Sequence, residues 1–556
     1  MATQKSAQDY REERKARLAK SAKQNSKKSH RVNVSGMKQQ TKNIITLVIC
    51  IVAALAIAVV ACFNLGVFER FKTIKTVDGK SYSAVEYEYY YKSTHYYYLN
   101  MSNQYDSYYG EGYGVMYTGY DSSKLPEDQE YVGTDFTLED GTTPTWKQYF
   151  EHIALLNLRR TVILADMAAK EGYNATEEET SEAASMLDDL RQDIKDNAEE
   201  NGSQAVSLGK YLRSNYGKGM SEAAFQKIVD RETLANSYYQ DLLERTGDGY
   251  ADDVIEAEYN KDKSAYDSVD FRLFTVAAET PELGDDATTE ETQAAQTKAA
   301  ETAKKQANEM FGKIKDSASF KTLAEQYATA TQKESVDYSD DAATLTTYAR
   351  KETISGSLPE SVVTWLYADS TKVGDKKLFD EDGTYYLLLM VKSPYKDNTN
   401  PVDVRHILYQ FDSEAEDAAA DKAEKKASAE AALKKINESS DKLATFLELC
   451  AAESADTGSN QNGGLYEKVG RGQYVKAFEA WALDPDRKEG DIGIVETEYG
   501  YHVMYFEKAY TKPYWHLTIG ETLADKEVTE TLEKAYESKA YAVEGGDKNA
   551  MLVKLN

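Results

Sequence analysis

The sequence predicts an α+β fold: a single N-terminal transmembrane helix, then a helical domain, then two domains that each combine an antiparallel sheet with flanking helices. Three observations lead to this organisation. An uncharged apolar run occupies residues 44–63, a helical pattern extends over most of 146–246, and two later segments repeat one order of strands and helices. At roughly 150 residues per domain, a chain of 556 residues has room for about three or four domains.

The apolar run IITLVICIVAALAIAVVACF has no charged side chain in its 20 residues. Such a run spans about 30 Å as a helix, the thickness of the hydrocarbon core of a bilayer. The 43 residues before it carry 12 Lys/Arg and 3 Asp/Glu, and basic flanks stay in the cytoplasm. We therefore expect a cytoplasmic tail at 1–43, a single-pass anchor at 44–65 in the cell membrane, and the rest of the chain outside.

A cleaved signal peptide and a lipoprotein signal are the alternatives to this anchor. A cleaved signal peptide fits less well, because the basic leader is long and no small-x-small site follows the run. The segment Val59-Val60-Ala61-Cys62 resembles a lipoprotein cleavage box, in which the cysteine would be lipidated, although the leader is long and Phe63 is bulky. With an uncleaved anchor or a lipidated Cys62, the outer portion stays tethered to the membrane.

Composition excludes several classes of protein. Beyond the apolar run the chain has 54 basic and 91 acidic side chains, a net charge of −37. Nucleic acid is therefore a poor partner, because phosphate binding needs a basic face. The 3 cysteines of the whole chain make a disulfide scaffold implausible.

The first outer segment, 66–268, is predicted to be a helical domain. Residues 67–81 suggest a short strand or hairpin around Asp78-Gly79, and a capping box at Thr176 and Glu179 predicts a helix start. Between Tyr82 and Tyr131 stand 15 tyrosines. They suit either packing inside a helix bundle, which we prefer, or an adhesive surface that contacts many partners.

The remainder contains an internal repeat. Trp365 and Trp481 are 116 residues apart, and Lys392 and Lys508 have the same separation. The strand-like segment VDFRLFTV at 269–276 likewise matches VDVRHILY further on. Each copy is predicted to run from a strand through two helices, a loop and a short Trp-bearing helix to a terminal strand.

The second copy alone has a pair of strand histidines, His406 and His502, where the first copy has Leu273 and Tyr386. If the first and last strands are antiparallel neighbours, the two imidazoles could face each other. A zinc site would want three or four ligands, and a Cys-His protease would need an exposed thiol. Cys450 lies on an apolar helix face and is more simply a core residue. We therefore expect no metal and no cofactor.

The second copy resembles a parvulin-type peptidyl-prolyl isomerase domain. The resemblance is carried by VRHIL, SADTGSNQNGG, GRGQYVKAFEAWAL and EGDIGIVETEYGYHV, within 402–509. The helical region, with VDGKSYSAVEYEYYY, WKQYF, AKEGYNATEEE and YLRSNYGKG, resembles the chaperone domain of SurA/PrsA-type extracytoplasmic foldases. This resemblance implies catalysis of cis-trans isomerisation of X-Pro bonds in unfolded secreted polypeptides, without cofactor or metal, outside a bacterial cell membrane.

The resemblance also implies roles for individual residues. The catalytic residues would be His406, Asp456 and His502, and the substrate-binding residues Tyr466, Tyr474, Phe478 and Thr497. The sequence departs from the family pattern GGDLGxF, which reads Gly463-Gly464-Leu465-Tyr466-Glu467-Lys468-Val469 here, and Tyr474 stands where a methionine is common. These changes put the preference of the pocket in doubt.

The first copy is expected to keep the fold and lack the catalysis. A rival interpretation is a pure holdase that binds unfolded chains with both copies inert, and a structural surface protein is a third. The predicted domains are a cytoplasmic tail (1–43), an anchor (44–65), a helical chaperone domain (66–268), a degenerate parvulin-like domain (269–395), a parvulin domain (401–509) and a C-terminal strand and helix (510–556).

Overall fold

The computed structural model describes residues 73–75, 81–138, 140–279 and 288–538. The predicted tail and anchor lie outside these ranges. Within the ranges, no helix combines the length and the apolar character needed to cross a membrane. The chain divides into two compact units, one formed by 1–245 with 524–556 and the other by 246–523.

The first unit is mainly helical, as the sequence predicts. A short antiparallel pair of strands precedes the helices. The described elements are β1 (Thr73–Lys75), β2 (Ser81–Ser83), α1 (Ala84–Tyr109), α2 (Tyr113–Thr118), α3 (Trp146–Glu171), α4 (Glu177–Glu200), α5 (Leu208–Tyr216) and α6 (Glu222–Asp248). The predicted capping box is confirmed, since the Thr176 side chain accepts from the Glu179 amide at the start of α4.

The tyrosines of this segment fall into a buried group and an exposed group. Tyr87 and Tyr91 on α1 are buried in the same core as Trp146 and Phe150 of α3. Packing is thus confirmed for part of the set. At the far end of α1 and on α2, in contrast, a cluster of tyrosines is exposed: Tyr108, Tyr109, Tyr113 and Tyr117.

The second unit contains two four-stranded antiparallel sheets with the same order, β4-β3-β6-β5 and β8-β7-β10-β9. After α7 (Asp252–Tyr259), the first sheet and its helices comprise β3 (Ser268–Ala277), α8 (Thr289–Lys313), α9 (Ser317–Tyr327), α10 (Ala330–Ser335), β4 (Leu345–Arg350), α11 (Lys351–Ile354), α12 (Glu360–Leu366), β5 (Lys376–Glu381) and β6 (Thr384–Tyr395). The second comprises β7 (Val402–Gln410), α13 (Ala418–Glu438), α14 (Lys442–Glu453), β8 (Leu465–Val469), α15 (Lys476–Ala482), β9 (Ile492–Glu496) and β10 (Gly500–Ala509).

The two sheets share a local backbone irregularity as well as a strand order. In the first sheet the register shifts near Asp270, whose carboxylate accepts from the amide of Tyr348 at 2.9 Å. In the second the register shifts near Asp403, which accepts from the amide of Lys468 at 2.7 Å. Tyr348 and Lys468 both have a positive φ, 55° and 52°. A β-bulge is a specific structural feature and not a defect of a strand, so its occurrence at the same place in both sheets supports the repeat found in the sequence.

The register of the central strands is also the same in the two copies. Tyr386 faces Thr275 in the first sheet, and His502 faces Leu408 in the second. The sequence repeat aligns Tyr386 with His502 and Thr275 with Leu408. In the first copy, Leu273 and Tyr386 pack against an apolar core cluster.

The tail differs from its prediction. Residues Tyr514–Glu537 form one helix, α16, where a strand followed by a helix was expected. Trp515 and Ile519 are buried with Ile255 and Tyr259 of α7. The alternation of apolar and polar residues in YWHLTI suggested a strand, but burial of Trp515 and Ile519, four residues apart, fits one helix face.

Candidate active site

The neighbouring strands β7 and β10 bring the histidine pair together. His406 faces Met504 across the ladder, and His502 lies two residues from Met504 on the same face. Diagonal neighbours of this kind are within reach of aromatic side chains. The Nδ1 atoms of His406 and His502 are 3.1 Å apart, and both rings are buried. The predicted meeting of the two imidazoles across the sheet is confirmed.

A chain of hydrogen bonds continues from both ends of the pair. His406 Nε2 lies 2.9 Å from Asp456 Oδ2, and His502 Nε2 lies 2.8 Å from Thr497 Oγ1. The ionised carboxylate can only accept, so His406 donates from Nε2 and its neutral ring accepts at Nδ1. His502 must then donate from Nδ1 and accept at Nε2 from the Thr497 hydroxyl. One arrangement of protons therefore satisfies the chain, with both histidines neutral.

Burial favours this neutral state. Desolvation holds the pKa of His406 below its usual range, although the carboxylate of Asp456 opposes the shift. Burial and the neighbouring His406 lower the pKa of His502 to about 4. At neutral pH the pair is thus uncharged and carries one proton on each ring.

Asp456 is held by several donors in the loop between α14 and β8. Its Oδ2 accepts from the Tyr466 hydroxyl at 3.0 Å and from the Ser459 hydroxyl, and its Oδ1 accepts from the Gly458 amide at 3.1 Å. Burial acts to raise the pKa of Asp456, but the hydrogen bonds from Ser459 and Tyr466 keep it below its usual value. The carboxylate therefore stays ionised beside the neutral imidazole of His406.

Aromatic rings form one wall beside the histidines. Phe478, on α15, is buried and its ring centroid lies 5.6 Å from both imidazoles. Tyr466 lies 4.7 Å from the His406 ring, and Tyr474 stacks on Tyr466 at 5.1 Å. Tyr474 is 37% exposed, so it forms the outer lip of this wall. The structure thus brings all seven predicted site residues into one connected set.

The Gly463-Gly464 pair at the end of SADTGSNQNGG has a structural role next to His406. Gly464 has φ +72°, and a Cβ at this position would lie 2.2 Å from the carbonyl oxygen of His406. The His406 amide in turn donates to the Gly464 carbonyl at 3.0 Å. Glycine is therefore needed here so that the loop can approach the backbone of β7.

The alternatives based on Cys450 have no support in this geometry. The residue is fully buried, and desolvation raises the pKa of its thiol to about 11. A nucleophilic cysteine needs the opposite shift. In the described ranges, no cluster of His, Cys, Asp and Glu side chains has the form of a metal site.

Sequence reasoning missed two features. Ser459 binds the Asp456 carboxylate, and its place in SADTGSNQNGG between the Asp and the glycines was the available signal. In the helical unit, a cavity of about 390 Å³ is lined by aromatic and aliphatic residues that are remote in sequence, among them Tyr98, Tyr117, Tyr131 and Trp146.

Comparison with known proteins gives a family match over this region. Residues 386–509 match the PPIC-type PPIASE domain, beginning in β6. The foldase protein PrsA 2 of Listeria innocua is 32% identical over 115 residues, which are 19% of this chain and 38% of that protein. PrsA 1 of Listeria monocytogenes is 36% identical over 63 residues, 11% of this chain and 21% of that protein. The chain thus spans between about a fifth and two fifths of the length of these curated relatives.

Solved structures with similarity include PrsA of Bacillus anthracis, 17% identical, covering 55% of this chain and 98% of that one with a TM-score of 0.17. PrsA of Bacillus subtilis is also 17% identical, covering 60% and 91% with a TM-score of 0.17. The family match and the curated relatives establish that the chain carries a PPIC-type, or parvulin-type, peptidyl-prolyl isomerase domain, through which it is related to the PrsA foldases.

Proposed function

We propose that the protein is a membrane-anchored extracytoplasmic foldase that isomerises X-Pro bonds in unfolded secreted polypeptides and also has chaperone activity. The observation that carries the proposal is the neutral His406–His502 pair, hydrogen-bonded between Asp456 and Thr497 and bordered by an aromatic wall. Asp456 is partly exposed, with 20% of its side chain accessible, so the network reaches the surface of the domain.

The chemistry requires no bond to be made or broken. Rotation about a peptide bond faces a barrier of about 18–20 kcal/mol, because amide resonance must be lost. In the twisted transition state the imide nitrogen is no longer conjugated with the carbonyl. A site that binds this twisted form more tightly than the planar forms accelerates the reaction.

The residues of the site fit such differential binding. Phe478, Tyr466 and Tyr474 provide an apolar surface for the proline ring. The histidine pair with Asp456 and Thr497 sets a fixed, preorganised polarity next to it. Because both imidazoles are neutral and each proton is already shared, their role is to orient dipoles. They need not transfer protons to the substrate.

The location outside the membrane is part of the proposal. It rests on the basic segment 1–43, the apolar run after it, and the acidic body of net charge −37. Lipidation of Cys62 would give the same location. An acidic surface beside a membrane that carries anionic lipid keeps the body in solution.

The test is a measurement of cis-trans exchange in an Xaa-Pro peptide by NMR with the purified chain. We expect acceleration by the wild-type protein and loss of most of it in His406→Ala and in His502→Ala. His516→Ala is the matched control, since His516 lies on α16 and contacts Asp252. Equal rates with and without the wild-type chain would overturn the proposal.

A non-catalytic holdase is the second candidate, and a specific observation favours it. The rings of Tyr105, near the end of α1, and Tyr113, on α2, stack on the ring of Tyr117 at interplanar angles of 19° and 22°. Tyr117 also borders the cavity of the helical unit. Exposed aromatic rings offer a large contact area at low cost in side-chain entropy, which suits binding of unfolded chains.

The exchange assay separates the two candidates, because a non-catalytic holdase gives no acceleration, and an aggregation assay tests the binding role of the tyrosines. The triple variant Tyr109→Ser/Tyr113→Ser/Tyr117→Ser should lose suppression of client aggregation. Tyr97→Ser is the control, because Tyr97 is an exposed tyrosine of α1 outside this cluster. Full suppression by the triple variant would count against the holdase role of these tyrosines.

A further inference from the structure

The outer lip of the aromatic wall is carried by a loop, residues 470–474, between β8 and α15. Within its own domain the loop is held by Glu479 of α15. The carboxylate accepts from the amides of Gly472, Gln473 and Tyr474 at 3.1, 2.6 and 2.7 Å. Tyr474 is thus placed against Tyr466 and Phe478 by the backbone of this loop.

The same loop is contacted by the degenerate copy, through the end of β4. Arg350 donates from Nη1 to the carbonyl of Arg471 at 3.3 Å. The Arg471 guanidinium lies 5.0 Å from the centre of the Tyr348 ring and donates to the Tyr348 hydroxyl at 3.3 Å. Both copies belong to the unit 246–523, and these bonds join them at the pocket loop.

The backbone of Gly472 packs closely against the end of β4. Its φ is +76°, and a Cβ there would lie 2.7 and 2.8 Å from the carbonyl oxygens of Tyr348 and Thr347. Those neighbours are backbone atoms, which cannot move aside as a flexible side chain can. The edge of the first sheet therefore excludes any larger residue from this point of the loop.

Arg350 is buried, and its guanidinium contacts several residues besides the pocket loop. It is 5% exposed, its guanidinium lies 4.0 Å over the ring of Tyr514, and its Nε donates to Glu352 at 3.0 Å. Its Nη2 is buried and no described residue accepts from it. Burying a cation with an open donor has a cost in stability.

We propose that the histidine-free copy positions the substrate-binding wall of the active copy, with Arg350 as the positioning residue that holds the loop bearing Tyr474. The inference rests on the proposed isomerase function. It gives the degenerate copy a role in catalysis by the second copy: the surface that receives the proline ring is completed by contacts from outside the parvulin domain.

Matched variants of the full chain test this role. Arg350→Gln removes the contact, whereas Arg272→Gln removes a buried arginine of the same copy that binds Ser317, Thr344 and Asp341. We expect Arg350→Gln to raise KM for a prolyl peptide by about fivefold, because the substitution weakens substrate binding. The value of kcat and the pH profile should be retained, because the histidines are unchanged. Arg272→Gln should lower the thermal midpoint and leave KM unchanged.

A second pair of variants keeps the test valid if Arg350→Gln fails to fold. Gly472→Ala and Gly490→Ala impose the same left-handed strain, at φ +76° and +83°, but only the first collides with the degenerate copy. Gly472→Ala should raise KM as Arg350→Gln does, and Gly490→Ala should not. Unchanged KM in both Arg350→Gln and Gly472→Ala, in folded protein, would overturn the inference.

Hydrogen exchange separates failure of this inference from failure of the proposed function. The amides of Gly472, Gln473 and Tyr474 should exchange faster in Arg350→Gln than in Arg272→Gln, whether or not the chain is an isomerase. Faster exchange in a chain without isomerase activity would support the positioning role and reject the proposed function. Activity with unchanged exchange and unchanged KM would reject the positioning role alone.

Discussion

His502 and His406 meet Nδ1 to Nδ1 at 3.1 Å across two antiparallel strands, and that contact is a hydrogen bond only while one of the two nitrogens is unprotonated. In the arrangement of protons described above, a proton added to His406 would enter at Nδ1 and place two N–H groups against each other, whereas a proton added to His502 would enter at Nε2, opposite the Thr497 hydroxyl. A neutral His406 is therefore a condition for the contact between the two Nδ1 atoms in this arrangement.

The pair should make activity insensitive to pH where an ordinary histidine titrates. The pKa of His502 is lowered to about 4 from 6.5, and that of His406 is lowered as well. We expect kcat/KM to stay level from about pH 8 to pH 6 and to fall only as the pH approaches the lowered values. A fall centred near pH 6.5 in exchange NMR would contradict the neutral pair.

The same shift predicts how stability depends on pH. Between about pH 6.5 and pH 4 the unfolded state takes up a proton at His502 that the folded state does not. The free energy of unfolding should therefore decrease as the pH falls through this window and be fully retained above it. Urea titrations of His502→Phe should show a shallower decrease over this window than those of the wild-type chain.

Catalysis is predicted to depend on the negative charge of Asp456 and not only on the shape of its side chain. Asp456→Asn keeps an acceptor for His406 Nε2 but removes the carboxylate that fixes the protons of the pair. We expect kcat/KM to fall by about tenfold or more, since a hydrogen bond to a charged group contributes about 1.5–3 kcal/mol. Near-wild-type catalysis in the Asn variant, measured by the same exchange assay, would show that the charge is dispensable.

Gly464 is predicted to tolerate no side chain. In Gly464→Ala the new Cβ would meet the carbonyl of His406 at 2.2 Å, in addition to the cost of φ +72°. Gly383→Ala, at φ +85° with open space around it, should lose only about 1 kcal/mol of stability from backbone strain. Thermal denaturation of both variants, with the isomerase rate, measures the difference. Equal loss in the two would mean that the loop can move away from β7.

The histidine pair could be predicted because the sequence contains an internal comparison, whereas the other five site residues followed only from the resemblance to parvulin domains. His406 and His502 stood out against Leu273 and Tyr386 in the sister copy, and the strand pattern of both segments predicted neighbouring strands. The repeat works as a signal because two copies of one fold share a register while their functional side chains differ. Ser459 had only its place in SADTGSNQNGG as a signal, and the contact of Arg350 with the loop 470–474 had none, since neither follows from a periodic pattern.

The sequence by itself determined the repeat, the pairing of the strands that carry the histidines and the departure of one copy from the other. Local periodicity and residue identity contain that information, because hydrophobic alternation sets which face of a strand is buried. Only the tertiary structure decided that both imidazoles are neutral, that Asp456 is held by Tyr466 and Ser459, and that Arg350 reaches the pocket loop. These depend on burial and on distances between residues remote in the chain, which arise when the two sheets and their loops pack together.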